Sequence, residues 1–267
     1  MRRLPISPRL RPYDNFLLDL DGCVWVGDDA LPGAVDAVSA LREAGKSILF
    51  LTNDVRRPPE GFVRKLWRLG FQASVEEVLS VGAALQFELA QHYSGTAFVV
   101  GSQALVDHVA DAGLRVVNNT RFATRADLVV VGGHDEFVYE ELKLAAQAVI
   151  RGAELIGATR DPNFPMPDGP WPGTGAVLAA IEVASGRQAS HIVGKPEAVM
   201  YAAALDRLGD GRTVGIGDRL DVDVAGARRA GLDSALVLTG GTTREQAEAA
   251  QPKPTHVADS LGDLVLG

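Results

Sequence analysis

Cysteine is nearly absent from this chain of 267 residues; Cys23 is the only one. A single thiol excludes an internal disulfide and any zinc site built on a cysteine cluster. A reducing, cytoplasmic setting is the expectation. Basic residues are also in deficit, with 26 Lys and Arg against 34 Asp and Glu, a net charge of −8. Phosphate backbones demand a basic face, so a general nucleic-acid binder is not expected. No apolar run is long enough to span a bilayer, so no membrane partner is expected. The N-terminal stretch carries Arg2 and Arg3 but no apolar h-region, and Pro5, Pro8 and Pro12 interrupt it. It does not read as a signal peptide, and a solvated, loosely ordered arm is the expectation. Low-complexity segments and short solenoid repeats are missing too.

What is present is enough for a sizeable core. Hydrophobic residues make up 46% and charged residues 22%, the balance of a folded chain. The length fits one large domain or two small ones. Apolar runs of strand length alternate with helical patterns. Phe16 to Leu20 reads as a strand, Val35 to Ala44 as a helix stopped by Gly45, and Ser47 to Leu51 as a strand. Pro58 to Leu69 is a helix opened by proline and closed by Gly70. The alternation resumes with strands at Ala97–Val100, Leu128–Val131 and Leu155–Gly157, and helices at Ala104–Ala112 and Tyr139–Arg151. Asp161 to Gly175 holds five prolines and three glycines and reads as a loop. Beyond it come helices at Ala176–Ser185, Ala198–Leu208, Val222–Ala230 and Arg244–Ala250. Strands are expected at His191–Val193, Thr213–Ile216 and Ala235–Leu238, and Thr255–Ala258 as an edge. The reading is α/β with parallel sheets wound on both faces, in two units rather than one oversized sheet.

Four short motifs each follow an expected strand. Leu18-Asp19-Leu20-Asp21-Gly22 places two carboxylates at i and i+2, where strand alternation can point both the same way. At the carboxyl ends of α/β strands such a pair suits a hard divalent ion, a covalent nucleophile and a general acid/base. A plain surface turn also fits Asp and Gly. Leu51-Thr52-Asn53-Asp54 offers a hydroxyl and backbone N–H groups to phosphate oxygens, or an ordinary cap. Lys195 in Val193-Gly194-Lys195-Pro196 can fix a charge at a site, or be a solvated lysine. Gly217-Asp218 with Asp221 and Asp223 supplies metal carboxylates or helix caps. Each motif alone has a bland explanation. Together they contain the nucleophile, acid/base, phosphate cradle, cation and metal ligands that phosphoryl transfer requires.

With these motifs the chain resembles the haloacid-dehalogenase (HAD) superfamily of phosphatases, from about Phe16 to Leu264. It is most similar to the NagD-like and 4-nitrophenylphosphatase-like branch. Asp19-Leu20-Asp21-Gly22-Cys23-Val24-Trp25 matches the branch's opening DxDGxxW. Thr52-Asn53, Lys195 and Gly217-Asp218 with Asp223 match the second, third and fourth motifs. Leu31-Pro32-Gly33-Ala34, Pro172-Gly173-Thr174-Gly175 and Leu238-Thr239-Gly240 are further branch-like text. Three stretches depart from the pattern: Thr52 to Arg57 reads Thr-Asn-Asp-Val-Arg-Arg, Gly132-Gly133-His134-Asp135 replaces a simpler Gly-x-Asp, and the cap loop from Ala158 to Pro165 is one residue shorter or shifted.

The resemblance implies a Rossmann-like HAD core, residues 1–84 and 187–267, with a smaller α/β cap inserted at 85–186. The cap would shield the site and select the leaving group. Asp19 would attack phosphorus and form an aspartyl-phosphate. Asp21 would protonate the leaving alcohol and then activate water. Thr52, Asn53, Gly22 and Lys195 would hold the phosphate. Mg²⁺ would bind Asp19, the Asp21 carbonyl and Asp218, with Asp223 orienting metal waters. Arg160, Asp161 and Asn163 are the cap candidates for reading the substrate. The substrate would be a small phosphorylated metabolite: glycerol phosphate, a sugar phosphate, a nucleotide or pyridoxal phosphate. A homodimer through the cap is the implied assembly.

A receiver-like phospho-acceptor or metal-binding signalling module is the alternative. It would place a lone phosphoacceptor Asp after a middle strand of a much shorter chain. Of the remaining candidates, Cys23 reads as a small core residue, Trp25 as packing beside the site, His134 as a surface-loop histidine and Asp221 as solvated.

Overall fold

A computed structural model describes residues 5–166 and 169–267. The chain forms two compact units. One comprises Met1–Thr52, Pro59–Leu79 and Lys195–Gly267; the other comprises Asn53–Pro58 and Ser80–Gly194. Among the described residues no helix is long and apolar enough to cross a membrane.

The first unit is built on a six-stranded sheet. Its order is His256–Ala258, Asp233–Val237, Thr213–Gly217, Asn15–Asp19, Ser47–Thr52, Val78–Ser80. Asn15–Asp19 is buried at every residue and pairs in parallel with both neighbours, Asn15 facing Thr213 on one side and Ser47 on the other. A continuous apolar run is what a parallel strand covered on both faces needs. To one side of this strand the order follows the chain at once; to the other it jumps to the C-terminal third. That reversal is a topological switch point, where α/β sheets open a crevice at the strands' carboxyl ends.

Helix Ala34–Glu43 buries Ala34, Ala37, Val38 and Leu41, and helix Pro59–Arg68 buries Phe62, Val63, Lys65 and Leu66. Both stripes have the i, i+3, i+4 spacing of an amphipathic helix. The apolar core joins Phe16, Leu18, Phe50, Val214 and Ile216 of the sheet to these helices and to Trp25.

The second unit carries its own parallel sheet, in the order His191–Ile192, Glu154–Gly157, Leu128–Gly133, Thr96–Gly101, Arg115–Val116. Helices Tyr139–Ile150 and Thr174–Ser185 contribute Ala145, Val149, Leu178 and Ile181 to its core.

Three expectations require correction. The N-terminal arm is packed rather than solvated: Ile6, Leu10 and Tyr13 are buried in the core, and the Ser7 N–H donates to Val265 O at 2.7 Å. Its apolar residues at spacings of four and three give it a sticky face that the prolines concealed. Residues 1–4 of that arm lie outside the described residues. The proline-rich stretch is not all loop, because Asn163–Met166 and Gly169–Pro172 form an antiparallel pair with Pro165 opposite Pro170. Proline is compatible with a two-stranded ribbon, where each strand has an edge that needs no N–H donor. Val222–Ala230 is not one α-helix. A π-helical turn, Leu220–Val224, precedes a short helix, Ala225–Arg229.

Candidate active site

Three of the four motifs fall at the carboxyl ends of the first unit's strands, at Asp19, Thr52 and Gly217-Asp218; Lys195 instead follows His191–Ile192 of the second unit's sheet, where the chain re-enters the first unit. Asp19 ends the central strand. The chain then turns tightly, with Leu20 O accepting from Val24 N at 2.9 Å and Trp25 N at 3.1 Å, and Gly22 N donating to Trp25 O at 2.8 Å. Gly22 has φ +83°, and a Cβ there would stand 2.6 Å from Oδ2 of Asp218. Only glycine combines that conformation with that approach. Gly217, at the end of the neighbouring strand, likewise leaves the space that the Asp223 carboxylate fills.

Lys195 links these elements. Its Nζ donates to Asp19 Oδ1 at 2.5 Å and to Asp223 Oδ1 at 2.7 Å. All three residues are at least nine-tenths buried. Asp223 accepts a second bond, from Arg219 N at 3.1 Å, and Asp218 accepts from Gly241 N at 2.5 Å. Carboxylate oxygens of Asp19, Asp218 and Asp223 all lie within 4.8 Å of one another. Thr52, 2% exposed, closes the adjacent strand one residue past the Leu51 that pairs with Asp19. Tyr201 OH donates to the backbone carbonyl of Asp223 at 3.2 Å, bracing the π-helical turn.

Burial pushes the Asp19 carboxyl well above the carboxylate range, with Asp223 and Asp218 adding to the rise and Lys195 opposing it. Burial and the Asp223 charge raise Asp218 to about 6, against the bond from Gly241. Burial works against the charge of Lys195, but Asp19 and Asp223 outweigh it and hold the ammonium well above its usual value. One ammonium among three close carboxylates leaves an excess of negative charge. Such an all-oxygen set suits a hard divalent cation, which would relieve the repulsion that now favours protonation.

The structure thus brings Asp19, Gly22, Thr52, Lys195, Asp218 and Asp223 together, and Asp21 sits in the same turn. Asn53 opens the second unit, where its Nδ2 donates to Asp161 Oδ2 at 2.8 Å. Arg160 is held by Glu182 through two bonds, at 2.8 and 3.2 Å, and Asn163 begins the proline-bearing ribbon. Cys23 is fully buried, and burial drives its thiol well above the ordinary value, as a core residue requires. His134 is more enclosed than a surface-loop residue. Its ring packs edge-on to Phe137, with Nε2 3.0 Å from Glu141 Oε1. Asp221 is exposed and paired with Arg219. Sequence reasoning missed Gly241 and Tyr201. A backbone N–H leaves no trace in a residue's identity, and Tyr201 looks like any apolar position of its helix.

The sequence profile described as haloacid dehalogenase-like hydrolase matches residues 16–115, and a related HAD-like hydrolase profile matches 192–264. Chronophin of Mus musculus is 34% identical over 100% of this chain and 97% of its own length. D-glycerol 3-phosphate phosphatase of Mycobacterium tuberculosis is 37% identical over 94% of this chain and 71% of its own. The crystal structure of a glycerol phosphate phosphatase from that organism, in complex with magnesium, superposes with a TM-score of 0.88 at 36% identity. It covers 95% of this chain and 77% of that one. The chain belongs to the haloacid dehalogenase-like hydrolases, in their NagD-like phosphatase branch.

Proposed function

We propose that the protein is a Mg²⁺-dependent phosphomonoesterase acting through a covalent aspartyl-phosphate on small phosphorylated metabolites, glycerol phosphate first among them. The observation that carries this reading is the buried Lys195 bonded to both Asp19 and Asp223 beside Asp218. The magnesium complex and the glycerol phosphate activity named for the relatives support the metal and the substrate.

Asp19 attacks phosphorus, and the ester P–O bond breaks with its electron pair moving to the leaving oxygen. Asp21 delivers a proton to that oxygen. Asp21 then takes a proton from water, which attacks phosphorus and breaks the bond to Asp19, releasing phosphate. Lys195 keeps Asp19 aimed and shares the phosphate charge. Thr52, Asn53 and Gly22 hold the remaining phosphate oxygens. Asp19, the Asp21 carbonyl and Asp218 would hold Mg²⁺, with Asp223 orienting its waters. When bound, the ion neutralises charge on the phosphoryl group and lets an anionic nucleophile approach it. We assign the second unit as the inserted cap. Asp161 and Asn163 remain its candidates for contacting the leaving group, whereas Arg160 is occupied by Glu182.

The test is hydrolysis of glycerol phosphate and 4-nitrophenyl phosphate by wild type and Asp19→Asn, each with and without Mg²⁺. The reading expects turnover only in wild type with the metal. Equal rates in the two proteins would overturn it.

A further inference from the structure

Asp21 is gripped from one side by an indole. Trp25 lies at the end of the turn that follows Asp19, in a short hairpin where it pairs with Ala30. Its side chain is 1% exposed, and Nε1 donates to Asp21 Oδ1 at 2.8 Å. Behind the indole stands a second buried cation. Lys65, on helix Pro59–Arg68, is 9% exposed, and its Nζ sits 4.2 Å from the Trp25 ring centroid and donates to Gly27 O at 2.7 Å.

A leucine or methionine would fill this space without the cost of burying an ammonium. The cation does two things an alkyl chain would not. It is attracted to the ring face, which fixes the indole plane. It also draws electron density from the ring, making Nε1–H a stronger donor to a carboxylate, as linked polar groups reinforce one another in a low-dielectric interior. The bond to Oδ1 fixes the rotation of the Asp21 carboxyl about its last single bond. A proton-transfer group is effective only in the right orientation, within hydrogen-bond reach of its target.

We propose that Trp25 and Lys65 are positioning residues for Asp21: the Lys65 ammonium anchors the Trp25 indole, and the indole N–H sets the carboxyl in its proton-transfer orientation. This rests on the acid/base reading of Asp21 given above. Both side chains are buried and act through Asp21.

Leaving-group chemistry separates this role from general support of the fold. An alkyl alcohol such as glycerol must be protonated as it departs, whereas 4-nitrophenolate leaves unassisted. The phosphorylation step is measured for each ester by rapid quench, in wild type, Asp21→Asn, Trp25→Phe and Lys65→Met. General acid catalysis is worth on the order of 10²- to 10⁴-fold, so Asp21→Asn should slow glycerol phosphate by that order and 4-nitrophenyl phosphate far less. Trp25→Phe should show the same asymmetry at roughly 10-fold, and Lys65→Met at roughly 3-fold, as partial losses of that contribution. The Trp25 indole N–H resonance, assigned by elimination with Trp67→Phe and Trp171→Phe, should shift in both Lys65→Met and Asp21→Asn. Lys65→Met and its resonance carry the test alone if Trp25→Phe does not fold. Equal slowing of both esters, no slowing, or an unmoved resonance in Lys65→Met overturns the proposal. If Asp21→Asn discriminates and the other variants do not, this inference fails alone. If Asp21→Asn does not discriminate, the acid/base reading fails with it.

Discussion

Lys195 donates to Oδ1 of Asp19 at 2.5 Å across 176 residues of sequence, and both side chains are buried. The bond joins the end of the central strand to the point where the chain re-enters the first unit. It makes the site and the closure of the fold a single feature.

Lys195→Met therefore acts on stability as well as turnover. Removing one partner of a buried ion pair leaves an uncompensated charge, at a cost of about 3–5 kcal/mol. Denaturant titration of the metal-free protein should show a loss of that order, with hydrolysis abolished. An unchanged midpoint would contradict the buried pairing.

Metal and pH should be linked through Asp218. Its carboxyl is raised from 3.8 to about 6, so the folded state binds protons that the unfolded state has released. Stability of the metal-free protein should thus fall as pH rises from about 4 to about 6, because the native state holds more protons there. A divalent cation replaces those protons. The rise in Tm on adding Mg²⁺ should be small at pH 5 and larger at pH 7, and a rise that shrinks with pH would contradict the assignment.

Gly22→Ala tests the close approach of the first motif to the fourth. The new Cβ would stand 2.6 Å from Oδ2 of Asp218 in a backbone of φ +83°. Calorimetry should show weaker Mg²⁺ binding, and stability should fall by about 1–3 kcal/mol, the range for a strained conformation.

Arg160→Ala addresses the second unit. Glu182 is 6% exposed and keeps the Arg160 guanidinium and the Ala189 N–H as partners. Burial raises its carboxyl, but these bonds outweigh it, and the net shift is downward. Losing Arg160 should lower Tm at neutral pH. The loss should shrink as acid protonates Glu182, since the stability a depressed carboxyl contributes is lost as pH falls through its folded pKa. KM for glycerol phosphate should stay near wild type. A raised KM at unchanged Tm would return Arg160 to the substrate-reading set.

Much of the site was legible because it is written as residue types at strand ends. Asp19, Thr52 and Asp218 each follow an apolar run or a Gly at the strand ends of one parallel sheet, which brings them together, and Lys195 follows Gly194 where the chain re-enters that unit. The elements that escaped lacked a period. Helix Val81–His92 spreads its apolar residues around its circumference, and the hairpin Trp25–Val26 with Asp29–Ala30 is only two residues a side. The expectation for Trp25 was packing beside the site. Its bond to Asp21, and Lys65 behind it, depend on a turn and on a helix 40 residues further on, which no local spacing encodes. The opening charge deficit also changes meaning, because part of the negative excess is the carboxylate cluster itself.

The proposed function stands on Asp19 carrying the phosphoryl group. Wild-type enzyme turning over glycerol phosphate with Mg²⁺ is quenched, reduced with borohydride and mapped by peptide mass spectrometry. An aspartyl-phosphate is reduced to homoserine, so homoserine is expected at position 19, dependent on substrate. Active enzyme that yields no homoserine, or yields it at another aspartate, would contradict the account.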